Sequence, residues 1–359
     1  MASQAYGQAS FLDKLKTFFT LCGIPIVPVV RLLLSPFRPY DRHRSWRRVV
    51  MDSIFRFSSS SLRVNQMQSL MGTTTDVYMA WTKKNRRPAL MDDIGDKGNL
   101  FWFTDRRTSG KVVYYLHGGV YQLPMQDYAA PFWLSSLEEL RKQTGEDFGL
   151  VALQYTLYPE ASFPTQLLQA INGLSHLLSL GIKPEDIHLV GESAGGGLVT
   201  QVLSHFLHPY QNIPPISLSG PLGGAFLMSP WVSLTTEAPS YVSNSDSDVL
   251  PGYSWAYFGS NILANLPEAG KPYVEAIKAP TGWWTGLDKL VKKITIYTGE
   301  AECLRDDDIS LGTTLKGYHR DVTLFVHQGG THADPYLTRL AGEKEGEEIA
   351  GLILGHFRI

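Results

Sequence analysis

The chain has 359 residues, of which 43% are hydrophobic and 11% aromatic, so it can bury the core of one large α/β domain or of two smaller ones. Its formal net charge is −2 and it has no long basic or acidic tract, which argues against nucleic acid as a partner and favours a small molecule. Its two cysteines cannot form a disulfide framework and it has no Asn-x-Ser/Thr acceptor, so we expect a cytoplasmic protein.

An apolar stretch near the N-terminus, FFTLCGIPIVPVV, runs from Phe18 to Val30 between basic residues. It is about 13 residues long, whereas a membrane-spanning helix needs roughly 20. Gly23, Pro25 and Pro28 are expected to break a helix. We interpret the stretch as part of a lid or packing segment. Two alternatives stay open: peripheral contact with an intracellular membrane, and a signal or membrane-spanning segment.

Short apolar runs alternate with helical patterns from Lys111 onward. The alternation predicts a mostly parallel central sheet with helices on both faces. The predicted strands are Val112–Leu116, Leu150–Gln154, Ile187–Val190, Ala225–Met228, Ile294–Thr298 and Val322–Val326. Two earlier runs, Val77–Thr82 and Leu100–Thr104, are predicted to add antiparallel edge strands.

Two regions do not follow this alternation. Residues 1–75 have apolar residues at helical spacing between Trp46 and Phe57, and residues 235–285 are rich in Ser, Pro, Gly and aromatic side chains. Both are expected to lie over the carboxyl ends of the strands, where open α/β sheets bind their ligands. We therefore divide the chain into an N-terminal cap or membrane-contacting segment, 1–75, and a catalytic domain, 76–359, with a cap insert at about 235–285.

The segment YYLHGGVY, Tyr114 to Tyr121, is a strand that runs into His117-Gly118-Gly119. Glycines after a strand let backbone N–H groups approach a substrate, as the oxyanion of an acyl-transfer reaction requires. We expect these donors in the turn from Gly118 to Val120. His117, at the entrance of a loop, is expected to bond its own backbone and to be structural.

The strongest motif is IHLVGESAGGGLVTQ, in which a β-run ends in Gly191-Glu-Ser193-Ala-Gly195 and an apolar helical pattern follows. Strand, sharp turn and helix are the context of a nucleophile elbow. Glycines are needed beside Ser193 because a Cβ at the flanking positions would clash with neighbouring elements. Ser193 is the predicted nucleophile, and the N–H of Ala194 is a second expected oxyanion donor.

His117-Gly-Gly, then YTLYPEASFP from Tyr155 to Pro164, then GESAGGG, resemble in order the hormone-sensitive-lipase-like branch of the α/β-hydrolase fold. The resemblance covers about 110 to 357 and looks nearest to fungal members that act on sterol esters or in natural-product pathways. It implies an α/β-hydrolase fold, a carboxylic ester substrate and an oxyanion hole of Gly118, Gly119 and Ala194. Val120 departs from the pattern, since many members have a third glycine there.

The resemblance places the catalytic base shortly after the last core strand, in a loop that contains glycine. His332 in HQGGTHADP fits this position, and His327 at the strand end is the competitor. Ala333-Asp334 replaces the Gly-Phe that usually follows the histidine. This exchange affects the local packing that we expect, and not the role of His332.

The acid should follow the strand before that of the histidine, and there the chain reads GEAECLRDDD, from Gly299 to Asp308. Aligned with the family's D-P-L-x-D segment, Glu302 takes the place of the first aspartate, and Asp306 is the runner-up. The three aspartates also suit a helix start, where carboxylates cap free N–H groups. The cluster lacks the glycine spacing of a calcium loop, so we predict no metal.

These residues predict a serine hydrolase with a Ser193–His332–Glu302 triad that needs neither a metal nor an organic cofactor. The expected substrate is a bulky lipophilic ester, because the cap regions are rich in apolar and aromatic residues. Two alternatives stay open: an acyl-transfer, condensation or cyclisation step in natural-product biosynthesis with the same triad, and a non-catalytic small-molecule receptor. The presence of all three triad residues argues against the receptor.

Overall fold

The computed structural model describes residues 5–358, and an eight-stranded sheet forms its centre. The strands are β1 (Met91–Asp93), β2 (Asn99–Trp102), β3 (Val112–Leu116), β4 (Gly149–Gln154), β5 (Ile187–Glu192), β6 (Gly224–Met228), β7 (Ile294–Gly299) and β8 (Val322–His327). Their order across the sheet is β1-β2-β4-β3-β5-β6-β7-β8. The pairs β1–β2 and β2–β4 are antiparallel and all other pairs are parallel. The predicted α/β fold class and the six predicted parallel strands are confirmed.

Helices precede, separate and cover the strands. The first five are α1 (Phe11–Gly23), α2 (Ile26–Leu34), α3 (Trp46–Ser61), α4 (Val64–Met71) and α5 (Thr74–Asn85). Those around the sheet are α6 (Ala129–Thr144), α7 (Thr165–Ser179), α8 (Ala194–Leu207), α13 (Arg305–Lys316), α14 (Asp334–Leu340) and α15 (Glu347–Phe357). The insert between β6 and β7 contains α9 (Ser240–Ser243), α10 (Gly252–Leu263), α11 (Lys271–Val274) and α12 (Leu287–Leu290).

The core has two layers because successive side chains of a strand point to opposite faces of the sheet. In β3, Val112, Tyr114 and Leu116 pack into the layer beneath α7 and α8, while Val113 and Tyr115 pack into the layer beneath α6 and α15. All five residues of β3 are fully buried, as expected for a central strand covered on both faces.

The prediction of an edge strand at Val77–Thr82 is wrong, because these residues lie within α5. The helix starts with a capping box: the hydroxyl of Thr73 accepts a bond from the N–H of Asp76, and the carboxylate of Asp76 accepts one from the N–H of Thr73. This T-x-x-D signal outweighs the β-propensity of Val77 and Tyr78. The second run that we predicted as an edge strand does form a strand, β2. The sequence did not predict β1, the strand that pairs with it.

Within residues 5–75, the N-terminal segment contains four complete α-helices, α1 to α4. The break expected in the apolar stretch occurs between α1 and α2, at Ile24 and Pro25. Pro28 does not end a helix, because it lies in the first turn of α2, where a missing N–H costs no bond. The apolar helical region, Phe11–Phe37, is therefore longer than expected, and its 27 residues reach the length of a membrane span.

Candidate active site

Ser193 lies in a strained turn between β5 and α8, with φ 53° and ψ −124°. Left-handed backbone of this kind is unfavourable for a residue with a Cβ, so the surrounding structure must hold it. Two bonds do so, one to β6 and one to the loop that follows it. The N–H of Ser193 donates to the carbonyl of Met228 over 2.9 Å, and its carbonyl accepts from the N–H of Trp231 over 2.8 Å.

The glycines of the motif are required by close approach of the backbone. A Cβ on Gly195 would lie 1.9 Å from the carbonyl oxygen of Leu116, and one on Gly191 would lie 2.4 Å from the carbonyl oxygen of Gly195. Neither clash can be relieved by a side-chain movement. The glycine spacing of the motif therefore follows from the packing of β3, β5 and α8 around the serine.

The structure brings Glu302 and His332 together beside this turn. Nδ1 of His332 is 3.3 Å from Oε2 of Glu302, and both side chains are buried. The other carboxylate oxygen accepts bonds from the N–H of Gly299, over 3.1 Å, and from the hydroxyl of Thr298. With Nδ1 donating to Glu302, Nε2 is the basic nitrogen. The rings of Trp255 and His332 pack edge-to-face, with 4.9 Å between their centroids.

Ser193 and His332 line the same cavity. Within residues 5–358, the hydroxyl of Ser193 has no hydrogen bond to Nε2 of His332. Hydrogen bonds between catalytic groups are commonly long without substrate and shorten when substrate binds.

The remaining carboxylates of GEAECLRDDD have separate surroundings. Asp306 accepts a bond from the N–H of Ser240 over 2.9 Å and forms an ion pair with Arg305, so it faces α9 and not the histidine. Glu300 accepts from the N–H of Gly329, in the loop that precedes His332. The three aspartates do lie in the first turn of α13, but none of their side chains caps that helix.

Asp308 is fully buried beside Glu302. Burial and the neighbouring Glu302 carboxylate raise the pKa of Asp308 well above its usual value. The raised pKa favours the protonated, neutral form of Asp308, which lies beside Glu302, the carboxylate that contacts the imidazole.

Asp248 is a buried site residue that the sequence did not indicate. Its carboxylate accepts bonds from the N–H of His332 over 3.0 Å and from the N–H of Cys303 over 2.9 Å. Burial raises its pKa to about 6, although the nearby His332 opposes the shift. The carboxylate thus fixes the backbone of the histidine loop to that of the acid turn. Asp248 lies in the insert, in the polar run SNSDSDVL, where no motif distinguishes it.

The assignment of Gly118 to the oxyanion hole is wrong, because its N–H already donates to Oε1 of Glu192 over 2.7 Å. Within the described part of the chain, the N–H groups of Gly119, Val120 and Ala194 have no acceptor. Val120 has φ 51°, a left-handed conformation that a β-branched residue rarely adopts and that glycine adopts freely. The donors available to an oxyanion are therefore those of Gly119, Val120 and Ala194.

The two competing histidines have structural partners. His117 is buried, its Nδ1 lies 2.6 Å from the carbonyl of Gly118, and its ring stacks on Tyr155. Burial lowers the pKa of His117 to about 4, so it is neutral at pH 7. His327 lies at the end of β8, and its Nδ1 is 2.7 Å from the hydroxyl of Tyr297. Within residues 5–358, neither histidine has a hydrogen bond to Ser193 or Glu302.

The cavity at Ser193 has a volume of about 370 Å³ and a mostly apolar lining. The N-terminal segment supplies a large part of this lining, with Leu21, Ile54, Phe55, Leu62, Met67 and Leu70. Of the aromatic residues in the insert, only Phe258 lines it, while Tyr241, Trp255 and Trp284 are buried in the core. The apolar character of the site thus comes from the N-terminal helices more than from the aromatic insert.

A family model for the alpha/beta hydrolase fold matches residues 113–334. An acetyl-hydrolase of Streptomyces hygroscopicus is 28% identical over 57% of this chain and 62% of its own length. Neutral cholesterol ester hydrolase 1 of Bos taurus is 23% identical over 55% of this chain and 51% of its own length. The match thus spans about half to three-fifths of these relatives.

The fold is also similar to that of solved proteins. The crystal structure of an esterase from the bacterial hormone-sensitive lipase family superimposes with a TM-score of 0.62, at 21% identity, and covers 88% of this chain and 97% of that one. Because the family model extends over more than half of the 359 residues and the sheet order and turn geometry agree with it, the chain belongs to the α/β-hydrolase fold family.

Proposed function

We propose that this protein is a carboxylic ester hydrolase with Ser193 as its nucleophile. The observation that carries the proposal is the position of Ser193, in a strained turn that faces the same cavity as His332. The relatives named as an acetyl-hydrolase and a cholesterol ester hydrolase support the same reaction class.

The proposed reaction begins when Nε2 of His332 takes the proton of the Ser193 hydroxyl as its oxygen attacks the ester carbonyl. Glu302 holds the imidazole through Nδ1 and stabilises its charged form. The N–H groups of Gly119, Val120 and Ala194 bind the oxyanion. His332 then protonates the leaving alcohol, and a water molecule activated by the same histidine releases the acid from Ser193.

The proposed substrate is an ester with a bulky lipophilic group. The cavity has the size of a site for a small organic molecule, and its lining offers apolar contacts from α3 and α4 with few polar partners. A short polar ester would leave most of this surface exposed to water. We therefore expect kcat/KM to increase with the length of the apolar acyl chain.

The test is hydrolysis of p-nitrophenyl esters from acetate to a long-chain acyl group. Ile54→Trp places a larger side chain in the cavity and should lower kcat/KM for the long ester by roughly tenfold, with a small effect on acetate. Ser193→Ala should remove both activities. Equal kcat/KM for all chain lengths, in the wild type and in Ile54→Trp, would contradict the lipophilic substrate, and absence of hydrolysis with every ester would contradict the proposed reaction.

A further inference from the structure

The helices α1 and α2 leave an apolar surface unpaired. Twelve of the twenty exposed large hydrophobic side chains of residues 5–358 belong to residues 11–37. Several are more than half exposed: Phe11 83%, Leu12 57%, Phe18 60%, Phe19 65%, Ile26 63%, Val29 56%, Leu33 71% and Phe37 83%. Soluble monomers rarely expose a contiguous apolar patch of this kind without a function.

Five of the six exposed large hydrophobic residues of α1 lie on one side of the helix. At about 100° per residue, Phe11, Leu12, Leu15, Phe18 and Phe19 form one stripe of the helix surface. Lys14 and Lys16 fall at the two borders of the stripe, and both are exposed. An apolar stripe with a lysine at each border is typical of a helix that lies in the plane of a membrane surface.

The opposite side of α1 is fixed to the protein. The side-chain amide of Gln66, in α4, donates to the carbonyl of Asp13 over 3.0 Å and to the hydroxyl of Thr17 over 2.9 Å. In α2, Arg31 on the inward side forms an ion pair with the buried Asp41. A helix that crossed a bilayer would have to break these contacts. The contacts therefore favour helices that lie side-on.

Charge is distributed unevenly along the chain. Residues 1–75 contain ten Lys and Arg against three Asp and Glu, a net charge of +7, whereas residues 76–359 carry −9. Arg42, Arg47 and Arg63 are exposed in addition to the two lysines of α1. This positive end complements a surface of anionic lipids and would be repelled by a cationic one.

The apolar surface also reaches the active-site cavity. Leu21, at the end of α1, is 38% exposed and also lines the cavity that contains Ser193. Leu70, in α4, is 50% exposed and lines the same cavity. The lining of the cavity is therefore continuous, at these two leucines, with the protein surface on which α1 lies.

We infer that α1 and α2 dock side-on onto an anionic membrane surface and that the ester substrate enters the cavity from the lipid, past Leu21 and Leu70. The entry route rests on the proposed ester hydrolysis, while the docking does not. The occupant of the surface is a lipid bilayer, because the apolar stripe, its lysine borders and the positive net charge together match a headgroup interface.

The test is flotation of the full chain with phosphatidylcholine vesicles, with or without about one phosphatidylserine lipid in three. Wild type should float with the anionic vesicles and much less with the neutral ones. Phe18→Glu with Leu33→Glu should lower the bound fraction by roughly tenfold or more. The matched control is Met79→Glu with Met91→Glu, two apolar residues that are 45% and 44% exposed on α5 and β1, and it should bind as wild type does. Lys14→Gln and Lys16→Gln should each weaken binding to anionic vesicles by about fivefold.

Measurements of ester hydrolysis distinguish an effect on membrane docking from an effect on catalysis. Both double variants should hydrolyse a soluble short-chain ester as wild type does, and only Phe18→Glu with Leu33→Glu should lose hydrolysis of a long-chain ester embedded in vesicles. Absence of flotation, or equal loss in the control, would overturn the docking. Protein that resists alkaline carbonate extraction would also overturn it, in favour of a spanning helix. If no soluble ester is hydrolysed while flotation behaves as expected, the proposed reaction fails and the docking stands.

Discussion

At the scale of single residues, three neighbouring carboxylates have different properties because their surroundings differ. Glu302 is buried, receives bonds from Thr298 and Gly299, and contacts His332. Asp308 is buried next to Glu302, and burial together with that neighbouring carboxylate raises the pKa of Asp308 well above its usual value. Asp306 is bound to Ser240 at the edge of the insert. Only Glu302 is placed to stabilise a charged imidazole.

Replacing Glu302 should therefore impair ester hydrolysis far more than replacing Asp306. Glu302→Gln keeps the size of the side chain but removes the charge that stabilises the imidazolium, and we expect kcat to fall by about three to four orders of magnitude. Asp306→Asn is the matched control and should retain most of the activity. The measurement is kcat for steady-state hydrolysis of one soluble ester by both variants. A larger loss in Asp306→Asn than in Glu302→Gln would assign the role of the acid to Asp306.

The main site residues were predictable because each lies in a local motif. Ser193 is placed by strand, glycine and helix, and His332 and Glu302 by their positions after β8 and β7. The exclusion of Gly118 from the oxyanion hole was not predictable, since it depends on the carboxylate of Glu192, 74 residues away in the chain. The sequence did not indicate Asp248 as a site residue for the same reason, because its partners, Cys303 and His332, are 55 and 84 residues away in the chain.

At the scale of elements, α3 is joined to the histidine loop by a buried ion network. Arg48 contacts both oxygens of Asp334, at 2.7 and 3.0 Å, and Arg44 contacts the same carboxylate at 3.1 Å. Asp334 in turn accepts a bond from the N–H of Thr331, next to His332. The N-terminal segment thereby supports the loop that carries His332, and Asp334 is the residue that makes the connection.

Breaking this network should destabilise the protein in a pH-dependent manner. Burial alone would raise the pKa of Asp334, but Arg48 and Arg44 hold it well below its usual range. A lowered pKa contributes stability above the pKa of the unfolded chain, about 4, and this contribution is lost as the pH falls below that value. Arg48→Met leaves a buried carboxylate with one partner fewer, and we expect a loss of about 3 kcal/mol in the free energy of unfolding at pH 7.

Urea denaturation at several pH values measures this effect. The difference between Arg48→Met and wild type should be largest near pH 7 and should shrink below about pH 4, where Asp334 is protonated in the unfolded chain. Arg47→Met, at the exposed neighbouring position, is the control and should change stability little. A deficit that stayed the same at every pH would show that Arg48 acts through packing alone.

The sequence predicted elements well where the pattern was local and repeated. The buried strands of the parallel sheet were recognisable as short apolar runs between helical patterns, and α8 as an apolar helix after the glycine motif. The strand expected at Val77–Thr82 is a helix, because a capping box and the contacts of Tyr78 with β2 decide its conformation. Local propensity cannot show such contacts in advance.

At the scale of the whole molecule, the chain combines a positively charged, apolar N-terminal end with an acidic α/β-hydrolase domain. The apolar wall of the cavity is built largely by that N-terminal end. The division at residue 75 stays a prediction, as does the cap role of residues 235–285. In the structure, the apolar surface of α1 and α2, which we propose to contact lipid, lies next to the cavity that contains Ser193.

The central claim is that Ser193 is a nucleophile activated in this site. The most direct measurement is intact mass after incubation of the full chain with a lipophilic phosphonate that reacts with serine nucleophiles. We expect one adduct per chain, on Ser193, formed slowly or not at all in Glu302→Gln and absent from Ser193→Ala. Unmodified wild-type protein, or an adduct that persists in Ser193→Ala, would contradict the account.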